Sequence, residues 1–132
     1  MKTLLYILVL CIALLLVGCG SKSLTINDFE EIGFTKSEEI GVPTFGPTGK
    51  AWRGTLIGFA SIPRMSMDIS IFSEALSKSD KERLAGSQLP SLNEDYCYRF
   101  IHNVQFGIYY EDTIPKKTTN NTCDWVVANV SK

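Results

Sequence analysis

The sequence predicts an α+β fold: a single small domain dominated by antiparallel β-sheet, with one or two short helices. Three observations carry this. Met65, Met67, Ile69 and Ile71 alternate with Ser66, Asp68 and Ser70, the period of a half-buried strand. A longer alternation runs from Tyr96 to Tyr110. Between and before these runs lie two short segments with helix-start chemistry.

Taken in order, Asn27 with Glu30 three residues on gives the capping-box pattern, and Gly33 is placed to end a helix over residues 28–32. Phe29, Ile32 and Phe34 are its apolar contacts, and Glu30, Glu31, Glu38 and Glu39 read as a solvated acidic face. Residues 41–49 hold Gly41, Pro43, Gly46, Pro47 and Gly49, which excludes a helix or a central strand. The loop carries Phe45, either tucked over the core or displayed for recognition. From Lys50 to Phe72 the period is two. Trp52, Leu56, Gly58, Ala60 and Ile62 share one face and Ile57 and Phe59 the other. Pro63-Arg64 connects this run to the methionine strand, giving an antiparallel hairpin.

Residues 73–86 turn helical, with a capping box at Ser79 and Glu82, one apolar contact at Leu84 and a terminator at Gly86; such a helix lies on the surface. A polar connection with Pro90 follows. Tyr96, Tyr98, Phe100, His102, Val104, Phe106, Ile108 and Tyr110 form one row, with Cys97, Arg99, Asn103, Gln105 and Gly107 opposite. One long bent strand and two strands hinged at His102-Asn103 both fit, since most strands are shorter than this. Residues 111–122 read as a polar loop and 123–130 as a last strand built on Trp125, Val126, Val127 and Val130.

The amino terminus has a different character. Lys2 precedes an unbroken apolar run from Leu4 to Val17, closed by Gly18 and Cys19. About 14 apolar residues suit the hydrophobic region of a secretory leader better than a membrane span, which needs about 18 or more. Leu16-Val17-Gly18-Cys19 resembles the lipobox of bacterial lipoproteins. The resemblance implies that Cys19 receives a diacylglyceryl group, and palmitate where a third chain is added, and becomes the first mature residue. A plain signal peptide cut near Gly18 or Gly20 and an uncleaved anchor are the competing readings. The expected organisation is a signal peptide over residues 1–18, a lipidated tether over 19–23 and a β-rich domain over 24–132. With Gly20 and Ser21 after the cysteine and no Asp, the resemblance favours the periplasmic face of the outer membrane in a Gram-negative host, and the outer face of the plasma membrane in a Gram-positive one.

Removal of residues 1–18 leaves about 114 of the 132 residues, one ordinary domain. The formal net charge of −1 argues against a nucleic-acid partner, which needs a basic patch for phosphate. Cys11 leaves with the leader, so Cys97 and Cys123 remain as an even pair in an oxidising compartment, and a disulfide is expected. A loop of about 26 residues gives roughly 3.5 kcal/mol in the chain-entropy model. The bridge is expected to pin the last strand beside the aromatic one.

Catalysis has little to work with. His102 is the sole histidine, and Gly-x-Ser-x-Gly, the phosphate-cradling glycine loop and the dinucleotide fingerprint are all missing. No cofactor is expected. One metal arrangement is conceivable: Met65 and Met67 point the same way on a strand, thioethers select Cu(I), and His102, Trp52 and Trp125 accompany them. Ile69 and Ile71 continue the same face, so core filling is the competing role. Asn120-Asn121-Thr122 and Asn129-Val130-Ser131 match the glycosylation pattern, which matters only in a eukaryotic host. The reading that emerges is a membrane-anchored envelope lipoprotein, not an enzyme, that binds a protein of the cell envelope. The alternatives are an inhibitor, immunity or exclusion lipoprotein against a lysozyme, toxin, phage or plasmid, and an envelope hydrolase using His102.

Overall fold

A computed structural model of the chain describes residues 22–42, 47–57, 64–87 and 96–130. The leader, Cys19, Phe45, residues 58–63 of the first predicted strand and Pro90 lie outside the described residues. The elements are α1 (Ile26–Glu30), β1 (Phe34–Ile40), β2 (Gly49–Leu56), β3 (Met65–Phe72), α2 (Lys78–Ser87), β4 (Tyr96–Ile101), β5 (Val104–Tyr109) and α3 (Lys116–Val130). The strands form one antiparallel sheet in the order β1-β2-β3-β5-β4. The α+β class is as expected, with three helices among the described residues.

Both short helices start two residues earlier than the sequence patterns suggest, and in both the reciprocal partner is an aspartate. Thr25 caps α1, and the Asp28 carboxylate accepts its N–H at 2.7 Å and its hydroxyl at 3.0 Å. Those bonds, the backbone one first, hold the Asp28 carboxyl below its usual range. Ser77 caps α2: its N–H donates to Asp80 Oδ2 at 3.0 Å, and the Asp80 N–H donates to Ser77 Oγ at 3.1 Å. The shorter Asp side chain closes the box as well as Glu does. Glu30, released from capping, pairs with Lys36 at 3.0 Å. Gly33, at φ 101, turns the chain out of α1 into β1. Helix α2 continues through Gly86 to Ser87.

Strand β1 carries the segment read as an acidic face. Only Phe34 is buried in it, and a register shift between Lys36 and Glu38 breaks its pairing with β2. Charged residues and a bulge are how exposed edges avoid pairing with other chains, and they also hide a strand from a hydrophobic pattern.

The Tyr96 to Tyr110 run is two strands, turning at His102-Asn103, where His102 takes φ 48. The reversal splits the row seen in the sequence. Tyr98 pairs with Gly107 and Phe100 with Gln105, so residues of opposite parity share a face. Tyr96, Tyr98 and Phe100 therefore lie opposite Val104, Phe106 and Ile108.

The predicted loop over 111–122 and last strand over 123–130 are instead largely one helix, α3. The Pro115 carbonyl accepts the N–H groups of Thr118 and Thr119 and opens it. Thr119, Thr122, Cys123, Val126 and Val130 are buried, the i, i+3, i+4 pattern of one helix face. Four valines and threonines among those five raise the local strand preference, and packing overrides it. Cys97 and Cys123 are bonded, with Cα atoms 6.6 Å apart, so the bridge ties β4 to a helix rather than to a strand.

Helices α1 and α3 cover one face of the sheet. Between them and the strands lies the main core, with Phe29 edge-on to Phe106 at 6.1 Å and Met65, Met67 and Ile69 fully buried. A smaller cluster, Phe72, Leu76 and Leu84, seats α2 at the other side of the sheet's end, beside Phe100 and Val42.

Candidate functional site

The face turned away from α1 and α3 is written by the strand register as rows across the sheet. One row runs Ile40, Ala51, Ser70, Gln105, Phe100, and the next runs Glu38, Arg53, Asp68, Gly107, Tyr98. Tyr109 and Tyr96 pair beyond them. Successive strands thus bring together polar and aromatic side chains distant in sequence.

Arg53 and Asp68 form a fork. Nε donates to Oδ1 at 2.9 Å and Nη2 to Oδ2 at 3.0 Å. The Tyr109 hydroxyl donates to the same Oδ2 at 2.7 Å and accepts from Arg53 Nη2 at 3.2 Å. Glu38 takes the outer nitrogen at 3.5 Å. The Asp68 contacts make the guanidinium hold its proton still more tightly. Burial, then the bond to Asp68, raises the Tyr109 phenol, and burial pushes Tyr96 up to about 12. The Arg53 side chain is 46% exposed, so the ion pair adds little to stability, about 1 kcal/mol at most. Its consequence is positional: both Asp68 oxygens are engaged, and Asp68's charge is balanced by Arg53.

Beside this network is a groove of about 160 Å³ whose lining includes Ile40, Gly41, Ser70, Gln105 and Gly107, with Asp68, Tyr96 and Tyr109 as walls. Gly107 makes room for it. A Cβ there would come within 2.6 Å of the Tyr96 ring, so only glycine lets that ring lie across β5. Tyr96 also meets Tyr109 at 5.4 Å and Tyr98 at 6.2 Å. Gln105 is 5% exposed, and its amide has no hydrogen-bond partner among the described residues.

The residues singled out in the sequence fall elsewhere. His102 is exposed at the tip of the β4–β5 hairpin, and its carbonyl accepts the Leu76 N–H. Met65 and Met67 are 1% and 0% exposed in the core. Met67 pairs with Ile108, four residues along β5 from Val104, which places His102 more than about 13 Å away along the strands. The set suggested for copper is therefore not assembled, and the methionines are core filler. Among the described residues no three His, Cys, Asp or Glu side chains group as metal ligands, and no helix is long and apolar enough to cross a membrane. Glu30, Glu31, Glu38 and Glu39 are exposed, as expected. Asn120 lies inside α3, donating to the Tyr110 hydroxyl and the Lys116 carbonyl.

Arg53, Asp68, Gln105 and Tyr109 were not legible as a site. The available signal was the tally of residues either side of a two-residue turn: with Ile101 facing Val104, every pairing on β4–β5 follows, and Gln105 joins the tyrosine face. Comparison of the chain with protein-family models, with curated proteins and with solved structures found no match.

Proposed function

We propose that this chain is a lipid-anchored protein of the bacterial cell envelope that works without catalysis, binding another envelope component through the open face of its sheet. The anchor rests on the sequence Leu16-Val17-Gly18-Cys19. The observation that carries the binding role is the face itself: Tyr96, Tyr98 and Tyr109 stand around a charge-balanced Arg53–Asp68 pair on the side that α1 and α3 leave uncovered. Tyrosine and arginine are the residues that enrich binding surfaces, because each combines a large apolar area with a directed polar tip. The tether adds a constraint. The five residue-to-residue steps from Cys19 to Leu24 span at most about 18 Å, so the domain stays close to the lipid headgroups. A partner is then another resident of the same membrane or of the layer beside it.

Two measurements in the native host test the two halves. Labelling with an alkyne fatty acid should mark the wild type and not Cys19→Ser. Intact mass spectrometry that finds residues 1–18 still attached would refute the anchor. A photo-crosslinking side chain at Tyr98 should give a discrete adduct that Arg53→Ala weakens, while the same probe at Lys117, exposed on α3, gives none. Equal adducts from both faces would refute the binding role.

A further inference from the structure

We infer that the groove between Tyr96, Tyr109 and Gln105 is a binding site for one neutral sugar ring that carries an amide, as in an N-acetylated amino sugar. The inference rests on the open sheet face being the binding surface and names the ligand chemistry of that face.

Size comes first. A space of about 160 Å³ is far below the roughly 300–1,000 Å³ of a drug-sized pocket. It holds about five waters' worth of liquid volume, which is the scale of a single substituted ring. Charge comes next. Both Asp68 oxygens already accept from Arg53, and Oδ2 accepts from Tyr109 as well. The wall offers an ionic ligand no uncompensated partner, and a charged group entering there would lose its water without replacement.

Gln105 then selects the ligand's functional group. Its residue is 5% exposed, its amide has no bond to any described residue, and it lines the groove. A carboxamide offers N–H donors and a carbonyl acceptor in one plane. The carbonyl of an acetamido group accepts a Gln105 N–H, and a ring hydroxyl beside it donates to the Gln105 carbonyl. A ligand bearing only hydroxyls offers that N–H a weaker acceptor than an amide carbonyl. Ser70 lies directly across from Gln105 on β3 and adds a hydroxyl to the floor. The tyrosine rings supply the remaining chemistry, apolar walls against which the C–H edges of a sugar ring pack, as buried aromatic surface does in ligand clefts generally.

The test uses the full lipidated chain in a detergent without a sugar headgroup, titrated with N-acetylglucosamine and followed by the side-chain amide resonance of Gln105. Saturable shifts with a Kd on the order of 1 mM are expected, with glucose about tenfold weaker and inorganic phosphate without effect. Gln105→Met, which keeps the shape and removes the amide, should weaken binding about tenfold or more while leaving the melting temperature unchanged or raised. If that variant does not fold, Ser70→Val narrows the groove from the neighbouring strand and should abolish the shifts. The inference is overturned by an absence of saturable shifts at about tenfold that concentration. It is equally overturned by glucose or phosphate matching the acetylated sugar, or by a melting temperature that falls in Gln105→Met with binding intact. Sugar binding absent while the Tyr98 crosslink persists refutes the sugar site alone; absence of both refutes the binding face as well.

Discussion

Asn103 is the joint on which the amino-terminal segment hangs, and replacing it with leucine should cost about 3 kcal/mol. The side chain sits in the β4–β5 turn and is 3% exposed. Its Oδ1 accepts the Leu24 N–H at 2.8 Å, and its Nδ2 donates to the carbonyls of Leu24 and Phe72, both at 3.0 Å. One amide thus satisfies three backbone groups across separations of 79 and 31 residues. Leucine is of similar size but leaves all three unpaired. At about 1 kcal/mol per lost bond, the sum is about 3 kcal/mol, and a dry site raises it. A ceiling exists because the segment can detach instead. Detachment exposes Leu24, now 2% exposed, at about 1.5–3 kcal/mol. The two routes cost about the same, so the expectation is not sensitive to which is taken. Urea unfolding with the disulfide intact should show a midpoint lower by about 2 M for a slope near 1.5 kcal/mol/M. Amide exchange at Leu24 should accelerate in step. Asn103→Asp separates the donors from the acceptor: it keeps the bond to the Leu24 N–H and aims a carboxylate at two carbonyl oxygens. The introduced carboxyl is favoured in its protonated form, so its folded pKa is raised; the deficit should shrink below about pH 4 and grow as pH rises. A loss below about 1 kcal/mol for Asn103→Leu, or unchanged exchange at Leu24, would refute the reasoning.

Three further outcomes follow from the structure. The double variant Cys97→Ala, Cys123→Ala should lose about 3.5 kcal/mol, because the bridge closes a loop of 26 residues between β4 and α3; a loss under about 1 kcal/mol by urea midpoint would show that packing of α3 alone suffices. Thr119 Oγ1 is buried without a hydrogen-bond partner, so Thr119→Val, which keeps the shape, should stabilise by about 1 kcal/mol, and destabilisation in the same assay would mean the hydroxyl is satisfied. Tyr96, pushed up to about 12 by burial, keeps its phenol neutral when the unfolded chain would ionise it near 10. Its contribution is present below about pH 10 and lost as pH climbs through 12, so absorbance titration should show a late tyrosinate step that vanishes in Tyr96→Phe.

The parts of the fold that the sequence disclosed are those whose burial follows a local period. The Met65 to Ile71 alternation and Phe29 need only neighbours along the chain to be read, and the Cys97–Cys123 pair needs only a count of the cysteines. What escaped depends on partners far away. In α3, Thr119, Thr122, Cys123, Val126 and Val130 have helical spacing, but their branched side chains imitate a strand and the polar residues between them imitate a loop. In β1, Lys36, Glu38 and Glu39 conceal an edge whose backbone is fixed by β2 rather than by its own side chains. The candidate site escaped for a third reason. Its residues come from β2, β3, β4 and β5, and the Tyr96 row and the Gln105 row appear on opposite faces until the chain reverses at His102.

The division of labour across the sheet also bears on how the open face can be altered. The disulfide, the Asn103 joint and the main core all lie on the helix-covered side or at the sheet's end. On the other side, Arg53, Asp68 and Tyr109 bond to one another and to Glu38, and the Tyr109 ring meets Tyr96, at positions partly reached by solvent, where ion pairs add little. Removing Gln105's amide breaks no bond to a described residue. Substitutions there should therefore change the surface far more than whether the domain folds, and under the proposed binding role such a face can alter its partner without first acquiring spare stability. Asn103→Leu and Gln105→Met are the contrasting pair for this argument: both remove an amide, two residues apart in sequence, one bonded to three backbone groups and one facing the groove, and only the first should move the urea midpoint.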